Sequence, residues 1–303
     1  MEPSLIIFME MENPFSKNGY SDSTDIGLIR KILGGDKTSL NDLLGRHQDF
    51  IFNVALKMLN NIQDAEDVTQ EILIKIVTQL SKYDNSKAKF RTWLYRITFN
   101  HVLNMKKNQY ETVVSDFSAF FGFIDKAPNL AVSQEEEREM QEVIEESKVA
   151  CMAGMIMCLD RMQRLVYIVG EVFSIDHNLA AEIFETTPDN FRQKLSRARK
   201  DLYNWMHKQC GLVNLENPCR CKSKTKSFID AGYVDPKNLK WHSNYKHRMF
   251  EMSEAKINEA LNARDEIYRN LYTSHPFKTS LKAKEVYQTI MNNKDFASIM
   301  KLN

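Results

Sequence analysis

Apolar residues recur at helical spacing over most of the chain, which predicts an all-α protein. A helix is expected from Asp64, as its N-terminal cap, to about Leu80, because the apolar positions between them fall on one face. After a loop at 83–89, another helix is expected from Phe90, whose apolar residues again follow the helical period.

A second helical block is predicted from Cys151 to His207. Near its end a short helix reaches Phe184, a turn follows at 185–187, and Pro188 starts a further helix that Thr187 caps. That helix is apolar on one side and basic on the others. A short helix, a turn and such a second helix are typical of a helix-turn-helix. An ordinary helical hairpin with a solvated face is the alternative.

The remaining segments have a different character. Residues 109–150 contain four phenylalanines among small and polar residues and then, between Gln134 and Glu146, seven glutamates against one arginine. This composition indicates a linker that ends in a solvated acidic helix. Residues 1–22 are expected to form a flexible tail. Beyond Cys210 lies a basic segment with cysteines, and helices are predicted at 251–273 and 280–299.

The composition narrows the class of protein. Of 303 residues, 43% are apolar and 27% charged, and ten glycines with seven prolines are too few for a collagen-like or turn-rich all-β chain. No apolar run approaches the ~18–20 residues of a membrane-spanning helix. The short apolar run at Leu5–Met9 also lacks the positive flank of a secretory signal, so the protein is expected to be cytoplasmic. In that reducing compartment the odd number of cysteines, five, favours free thiols or metal ligands.

The net charge is only +1, but the charges are segregated into clusters. On the helix from Pro188, Arg, Asn and Gln side chains suit base edges and phosphates in a DNA groove. The predicted DNA-binding residues on this helix are Pro188, Asn190, Arg192, Gln193, Ser196, Arg197 and Arg199.

A second cluster covers Lys87–Lys107, which contains six Lys or Arg residues, no acidic residue and interleaved aromatic rings. Basic groups neutralise phosphates, and aromatic rings stack on unpaired bases. Phe90 and Trp93 also lie on the apolar stripe, so a core role is the alternative for both. The predicted contacts are Lys87, Lys89, Arg91, Trp93, Arg96 and Asn100.

The third cluster is the acidic face of the helix that precedes this block. A protein-binding surface is the functional interpretation, and favourable interaction with the helix dipole is the alternative. The residues on this face are Asp64, Glu66, Asp67, Gln70 and Glu71.

Two blocks of the sequence resemble a known family. DAEDVTQEILIKI followed by FRTWLYRITFNHVLNMKK is similar to domain 2 of bacterial RNA polymerase sigma factors, and DRMQRLVYIVGEVF with AAEIFETTPDNFRQKLSRARKDLYNWM is similar to their domain 4. Their order and spacing, over about residues 25–207, resemble the extracytoplasmic-function (ECF) subfamily. The resemblance implies a non-enzymatic helical protein with domain 2 (23–108), a linker (109–150) and domain 4 (151–208). In this chain a tail (1–22) precedes these domains and an extension (209–303) follows them.

The resemblance also implies roles for the three clusters. The acidic face would dock on the β′ clamp helices of core RNA polymerase. The 83–96 region would melt and read the −10 promoter element, and the 188–199 helix would read the −35 element of promoter DNA. Whether an anti-sigma factor is a further partner stays open.

The sequence departs from the family in its turn and its extension. Glu185 stands where glycine is usual, and because a positive φ is uncommon for other residues, a different turn geometry is expected. In the extension, His207, Cys210, Cys219 and Cys221 would make a tetrahedral zinc site, with free thiols and no cofactor as the alternative. The extension is expected to dock on domain 4 or the linker, because so small a unit buries little surface alone.

Two rival functions remain. A stand-alone helix-turn-helix regulator of duplex DNA does not account for the acidic face beside the basic, aromatic block. A DNA-processing enzyme needs a nucleophile with a base or metal constellation. No paired carboxylates, P-loop or Ser/His arrangement stands out in the sequence, which favours a protein that is not an enzyme.

Overall fold

The computed structural model describes residues 13–15, 21–241, 271–273 and 275–280. These residues form helices, turns and loops without a β-strand, apart from one isolated backbone bridge between Cys210 and Cys219. The prediction of an all-α fold is confirmed for this part of the chain. None of the helices described is both long and apolar enough to span a membrane.

Helices occur in the predicted blocks and also in segments where none was predicted, at 109–113, 117–126 and 221–230. They are α1 (Asp22–Leu33), α2 (Lys37–Leu59), α3 (Ile62–Gln79), α4 (Phe90–Asn104), α5 (Gln109–Val113), α6 (Phe117–Lys126), α7 (Gln134–Glu139), α8 (Gln141–Met157), α9 (Arg161–Tyr167), α10 (His177–Ile183), α11 (Pro188–Gln209) and α12 (Cys221–Asp230). A 3-10 turn at Leu80–Lys82 follows α3, and a π-helical turn at Ile168–Val172 follows α9. Residues 271–273 are helical. The rest of the helix predicted at 251–273, and the one predicted at 280–299 beyond Ser280, lie outside the described residues.

Side-chain caps explain where several helices begin. The Asn61 side chain accepts the N–H of Asp64 at 3.0 Å, so Asn61 is the cap of α3, and the prediction of Asp64 was wrong. Thr187 Oγ1 accepts the N–H of Asn190 at 3.2 Å, which confirms the predicted cap of α11. Ser133 and Glu136 form a reciprocal capping box at α7.

The chain divides into two compact units, each built from segments that are distant in sequence. Unit 1 comprises residues 1–11, 111–160 and 196–276, and unit 2 comprises residues 12–110, 161–195 and 277–303. The domain boundaries taken from the sequence stay predictions.

An aromatic cluster forms the core of unit 2. The Phe50 ring stacks on Tyr95 with centroids 4.0 Å apart and lies 4.8 Å from Phe173. Phe99, on α4, lies 5.1 Å from Phe184 at the end of α10. Four of these five rings are buried, and burial of large aromatic side chains is a main source of stability. The cluster therefore holds α2, α4 and α10 in one core.

Part of the predicted flexible tail is packed in unit 2. Asn13 Nδ2 donates to the carbonyl of Phe173 at 2.8 Å, and the Phe15 ring covers the Arg91 guanidinium at 3.7 Å. For residues 13–15 the prediction of a flexible tail was therefore wrong. The local sequence gives no sign of these distant partners.

In unit 1, the phenylalanine-rich segment forms α6 and part of the core. Phe117 and Phe121 lie nearly parallel to Trp205, with centroids 5.6 and 5.9 Å away. The predicted acidic helix is exposed along α7, but it turns inward in α8. Glu146, for example, accepts the N–H groups of Lys240 and Trp241 at 2.7 and 2.8 Å. The prediction of a wholly solvated acidic helix was therefore wrong at its end.

The start of the extension packs on the predicted linker. On α12, Lys226 pairs with Glu136 at 2.7 Å and Lys222 pairs with Glu137 at 2.9 Å. Lys224 Nζ donates to the Ile124 carbonyl at 2.9 Å, near the end of α6. Docking on the linker, one of the two predicted arrangements, is confirmed for α12, and its lysines contact protein groups.

Candidate nucleic-acid and protein interfaces

The acidic face of α3 is centred on two exposed carboxylates one helical turn apart. Asp67 accepts a hydrogen bond from Gln63 at 3.2 Å, and Glu71 lies 3.1 Å from His101 Nε2. Burial lowers the pKa of His101, although the charge of Glu71 acts in the opposite direction. Burial therefore favours the uncharged imidazole beside the exposed Glu71 carboxylate.

The other members of this face are less accessible. Gln70 is half-buried, as is Asp64, whose carboxylate accepts a hydrogen bond from Asn108 at 3.0 Å. Glu66 is only 4% exposed, and its Oε2 accepts the hydroxyl hydrogen bond of Ser280 at 2.5 Å. The structure thus places Glu66 beside the open face, beneath a distant segment of the chain.

The loop before α4 presents two lysines to solvent. Asp84 accepts hydrogen bonds from the hydroxyl and the N–H of Ser86, at 2.7 and 2.9 Å, which lower its pKa and brace the turn. Tyr83 donates its hydroxyl to the Ala88 carbonyl at 3.1 Å and closes the other side of the loop. Lys87 and Lys89 are exposed on this braced loop, where they suit contact with phosphates.

The aromatic residues of the block divide between core and surface. Phe90 is fully buried, so the alternative interpretation as a core residue holds for it. Trp93 is half-buried, with its ring centroid 5.5 Å from Tyr83 and 5.6 Å from Phe90. The partly open face of this cluster suits stacking on an unpaired base.

Both arginines of the block are held by other segments of unit 2. Arg91 donates to the Phe15 carbonyl at 2.6 Å and to the Tyr95 hydroxyl at 2.9 Å. Arg96 donates to the Glu182 carbonyl at 2.8 Å, at the end of α10, and lies 3.5 Å from the Glu185 carboxylate. Asn100, one turn further along α4, is exposed. Nucleic acid would therefore have to exchange existing contacts at Arg91 and Arg96.

The helix-turn-helix keeps a left-handed residue at its turn. Glu185 has φ = 52°, so the expectation of a different turn geometry was wrong. The N–H of the next residue, Thr186, bonds to the Ala181 carbonyl at 2.9 Å, which closes the end of α10 in this conformation. Arg96 adds a donor at the same end, next to Glu185.

The predicted DNA-binding residues of α11 lie mostly in solvent. Arg192, which pairs with Asp189 on its own helix at 2.5 Å, is exposed, as are Asn190 and Gln193. Ser196 and Arg197 are exposed further along the helix, whereas Pro188 and Arg199 are half-buried. The inward face carries Phe191 and Leu195, both buried. The apolar stripe thus leaves the basic side of α11 open.

The predicted zinc ligands do not form a metal site. Within the described residues, no group of three or more His, Cys, Asp or Glu side chains could hold a metal ion. All five cysteines are free thiols. Cys210 and Cys221 line a small apolar cavity with Cys151 and Cys219, and burial raises the pKa of the Cys210 thiol to about 12.

Sequence reasoning missed two arginines that join helices inside unit 2. Arg164 donates to the Met58 carbonyl at 2.7 Å, near the C-terminal end of α2. Arg161 donates to the Leu103 carbonyl at 3.3 Å, near the end of α4, and also to the Lys106 carbonyl at 3.1 Å. Both stand at polar positions of a helical pattern, so no local signal distinguishes them from solvated arginines.

Comparison with known families identifies the class of the first block. Residues 43–111, which include α3 and α4, match the family described as sigma-70 region 2. The resemblance to sigma factors is thereby confirmed for the part of unit 2 that carries the acidic face and the basic, aromatic block.

Two individual relatives are named as ECF RNA polymerase sigma factors. The chain is 35% identical over 72 residues to the ECF RNA polymerase sigma factor SigW of Bacillus subtilis, of which it covers 38%. It is 24% identical over 192 residues to the ECF RNA polymerase sigma-E factor of Haemophilus influenzae, covering 60% of this chain and 94% of that one. A solved structure of CnrH in complex with the cytosolic domain of CnrY aligns with 60% of this chain and 97% of that chain, at 18% identity and a TM-score of 0.42.

Proposed function

We propose that this protein is an ECF-type sigma factor, which binds core RNA polymerase and directs it to promoters with defined −10 and −35 elements. The observation that carries this proposal is the pair of open carboxylates, Asp67 and Glu71, in the same unit as the exposed lysines Lys87 and Lys89. A negatively charged surface and a positively charged surface in one unit suit a protein that binds another protein and DNA at the same time. A stand-alone DNA-binding regulator has no use for the acidic face.

The proposal assigns the two steps of promoter recognition to different helices. The loop at 83–89 and the partly open ring of Trp93 would hold unpaired bases at the −10 element. The exposed side of α11, with Arg192 and Gln193, would read base edges at the −35 element. In this function the protein acts without chemistry of its own, in the cytoplasm with the polymerase.

Reconstitution with core polymerase tests the function directly. The purified chain should co-purify with core enzyme and support runoff transcription from its promoters. Reversing Asp67 and Glu71 to Lys should weaken core binding at least tenfold, because like charges then face each other at the interface. The charge-matched control reverses two exposed acids elsewhere, Asp42 and Glu139, and should bind as the wild type does. Normal core binding by the first variant would refute the assigned docking face.

A second measurement separates the proposal from its rival. If the chain binds −35 duplex tightly without core polymerase and never co-purifies with it, the stand-alone regulator is the better description. Permanganate reactivity of thymines at the −10 element checks the melting role. Alanine at Lys87, Lys89 and Arg96 together should suppress that reactivity, and wild-type melting would refute this assignment.

A further inference from the structure

A short segment of the extension lies against the helices of the region 2 block. Residues Phe277–Ser280, here called the strap, belong to unit 2 together with α2 and α3. The strap meets four side chains, here called the docking surface: Asn53 and Lys57 on α2, Glu66 on α3, and Phe173.

The centre of the strap is held through its backbone. Asn53 Nδ2 donates to the Lys278 carbonyl at 2.7 Å, and the Lys278 N–H donates back to Asn53 Oδ1 at 2.8 Å. Asn53 is fully buried, and it also donates to the Asp49 carbonyl on its own helix at 2.8 Å. A buried amide that exchanges two hydrogen bonds with one residue fixes the position of an extended peptide.

Both ends of the strap are held by side chains. At one end the Phe277 ring lies 5.2 Å from Phe173 and 4.5 Å from the Lys57 Nζ. At the other end the Ser280 hydroxyl, which is 6% exposed, donates to the Glu66 carboxylate at 2.5 Å. Hydrogen bonds to a charged group are about twice as strong as neutral ones. An aromatic anchor, a backbone pair and a charged hydrogen bond thus hold Phe277, Lys278 and Ser280 in turn.

The strap ends beside the acidic face. Glu66 stands one helical turn before Gln70, and it directly precedes Asp67 in sequence. Ser280 therefore reaches α3 on the side that adjoins the exposed Asp67 carboxylate.

We propose that the docking surface is a peptide-binding site whose occupant is the strap of the same chain, and that the docked strap competes with core RNA polymerase for α3. The competition rests on the proposed function, whereas the docking of the strap does not. A polymerase surface on Asp67, Gln70 and Glu71 would meet the strap at Ser280, which covers Glu66 on the adjoining side of α3. Core binding then requires release of the strap. The apparent affinity is therefore the affinity of the released form multiplied by the fraction of molecules in which the strap is released.

Hydrogen exchange on the full-length chain tests the docking. The Lys278 N–H should be protected in the free protein, because it donates to a fully buried amide. The double variant Phe277→Ala, Ser280→Ala should lose this protection. The control variant Phe123→Ala, Ser118→Ala, which changes the same residue types at exposed positions of α6, should keep it. Unprotected wild-type protein would overturn the docking. Far-UV circular dichroism checks that the variants keep their helices, and the conservative variant Phe277→Leu should keep part of the protection.

Core affinity tests the competition with the same proteins. Fluorescence anisotropy with labelled core polymerase should show at least threefold tighter binding by the double variant and wild-type binding by the control variant Phe123→Ala, Ser118→Ala. Saturation with core should raise exchange at Lys278 in the wild type. Equal affinities, or protection that persists in the complex, would overturn the competition. If no variant binds core although exchange follows the expected pattern, the proposed function and the competition both fail, and the docked strap stands.

Discussion

The two predicted DNA-contacting regions differ in how their side chains are held. On α11, Gln193 is exposed, and Arg192 is exposed while it pairs with Asp189 on the same helix. On α4, Arg91 and Arg96 are bonded to segments far away in the sequence. The free energy lost when an arginine exchanges its existing contacts for DNA therefore differs between the two regions. An exposed arginine with a solvated ion pair on its own helix gives up little when it binds DNA, whereas an arginine bonded to a distant segment must first give up a contact that stabilises the fold.

The largest effect is expected for the exposed residues of α11. Changing Arg192 and Gln193 to alanine should remove base contacts worth about 1–3 kcal/mol each from promoter binding. Urea unfolding should stay within ~0.5 kcal/mol of the wild type, because both side chains are exposed. Binding of reconstituted polymerase to a panel of −35 sequences measures the first effect. Lys194→Ala is the control on the same helix, and an unchanged sequence preference in the double variant would count against α11 as the reader.

Changes to the arginines of α4, which are bonded within unit 2, should lower the free energy of unfolding. Arg91→Ala loses the hydrogen bonds to Phe15 and Tyr95 and the contact with the Phe15 ring, which together suggest a loss of about 1–2 kcal/mol in the free energy of unfolding. Lys89→Ala, at an exposed position two residues away, should leave stability unchanged. Urea denaturation of both variants measures the difference. Equal stability of the two variants would contradict the distinction between exposed side chains and side chains that are bonded within unit 2.

A buried lysine extends the comparison to charge. Burial lowers the pKa of Lys57 to about 7, below the usual value for lysine. As pH falls from about 10 to 7, the unfolded chain takes up a proton at this side chain before the folded chain does, so wild-type stability falls. Lys57→Met should therefore stabilise the protein by about 1 kcal/mol at pH 7 and by less at pH 10. Thermal unfolding at both values tests this, with exposed Lys75→Met as the control. A gain that does not depend on pH would contradict it.

The smallest effect is expected at the turn that Arg96 contacts. Glu185→Gly should stabilise the protein by about 0.5 kcal/mol, because glycine adopts a positive φ without steric cost and the ion pair with Arg96 is exposed. The same change at Glu182, inside α10, should instead destabilise by about 1 kcal/mol. Opposite signs in thermal unfolding would support the left-handed turn. A loss of stability at both positions would argue against it.

The sequence predicts what depends on near neighbours in the chain. Helical periodicity located α3, α4 and α11, and the Thr187 cap followed from a short local motif. The cap at Asn61 escaped because Asp64 is an equally good capping residue by type. Contacts such as Ser280 with Glu66 join residues more than 200 positions apart, and no local pattern encodes them. Whether Arg96 is open or engaged belongs to this second kind of information.

The π-helical turn at Ile168–Val172 has a consequence for the spacing of the chain. Its hydrogen bond runs from the Phe173 N–H to the Ile168 carbonyl at 2.9 Å, so it accommodates one residue more than an α-helical turn does. Removing one residue there would restore a regular helix, but it would rotate everything downstream by about 100° relative to α9. Phe173 would leave Phe50, and α10 would leave α4. Homologues of this protein should therefore tolerate substitutions in the turn far better than changes in its length.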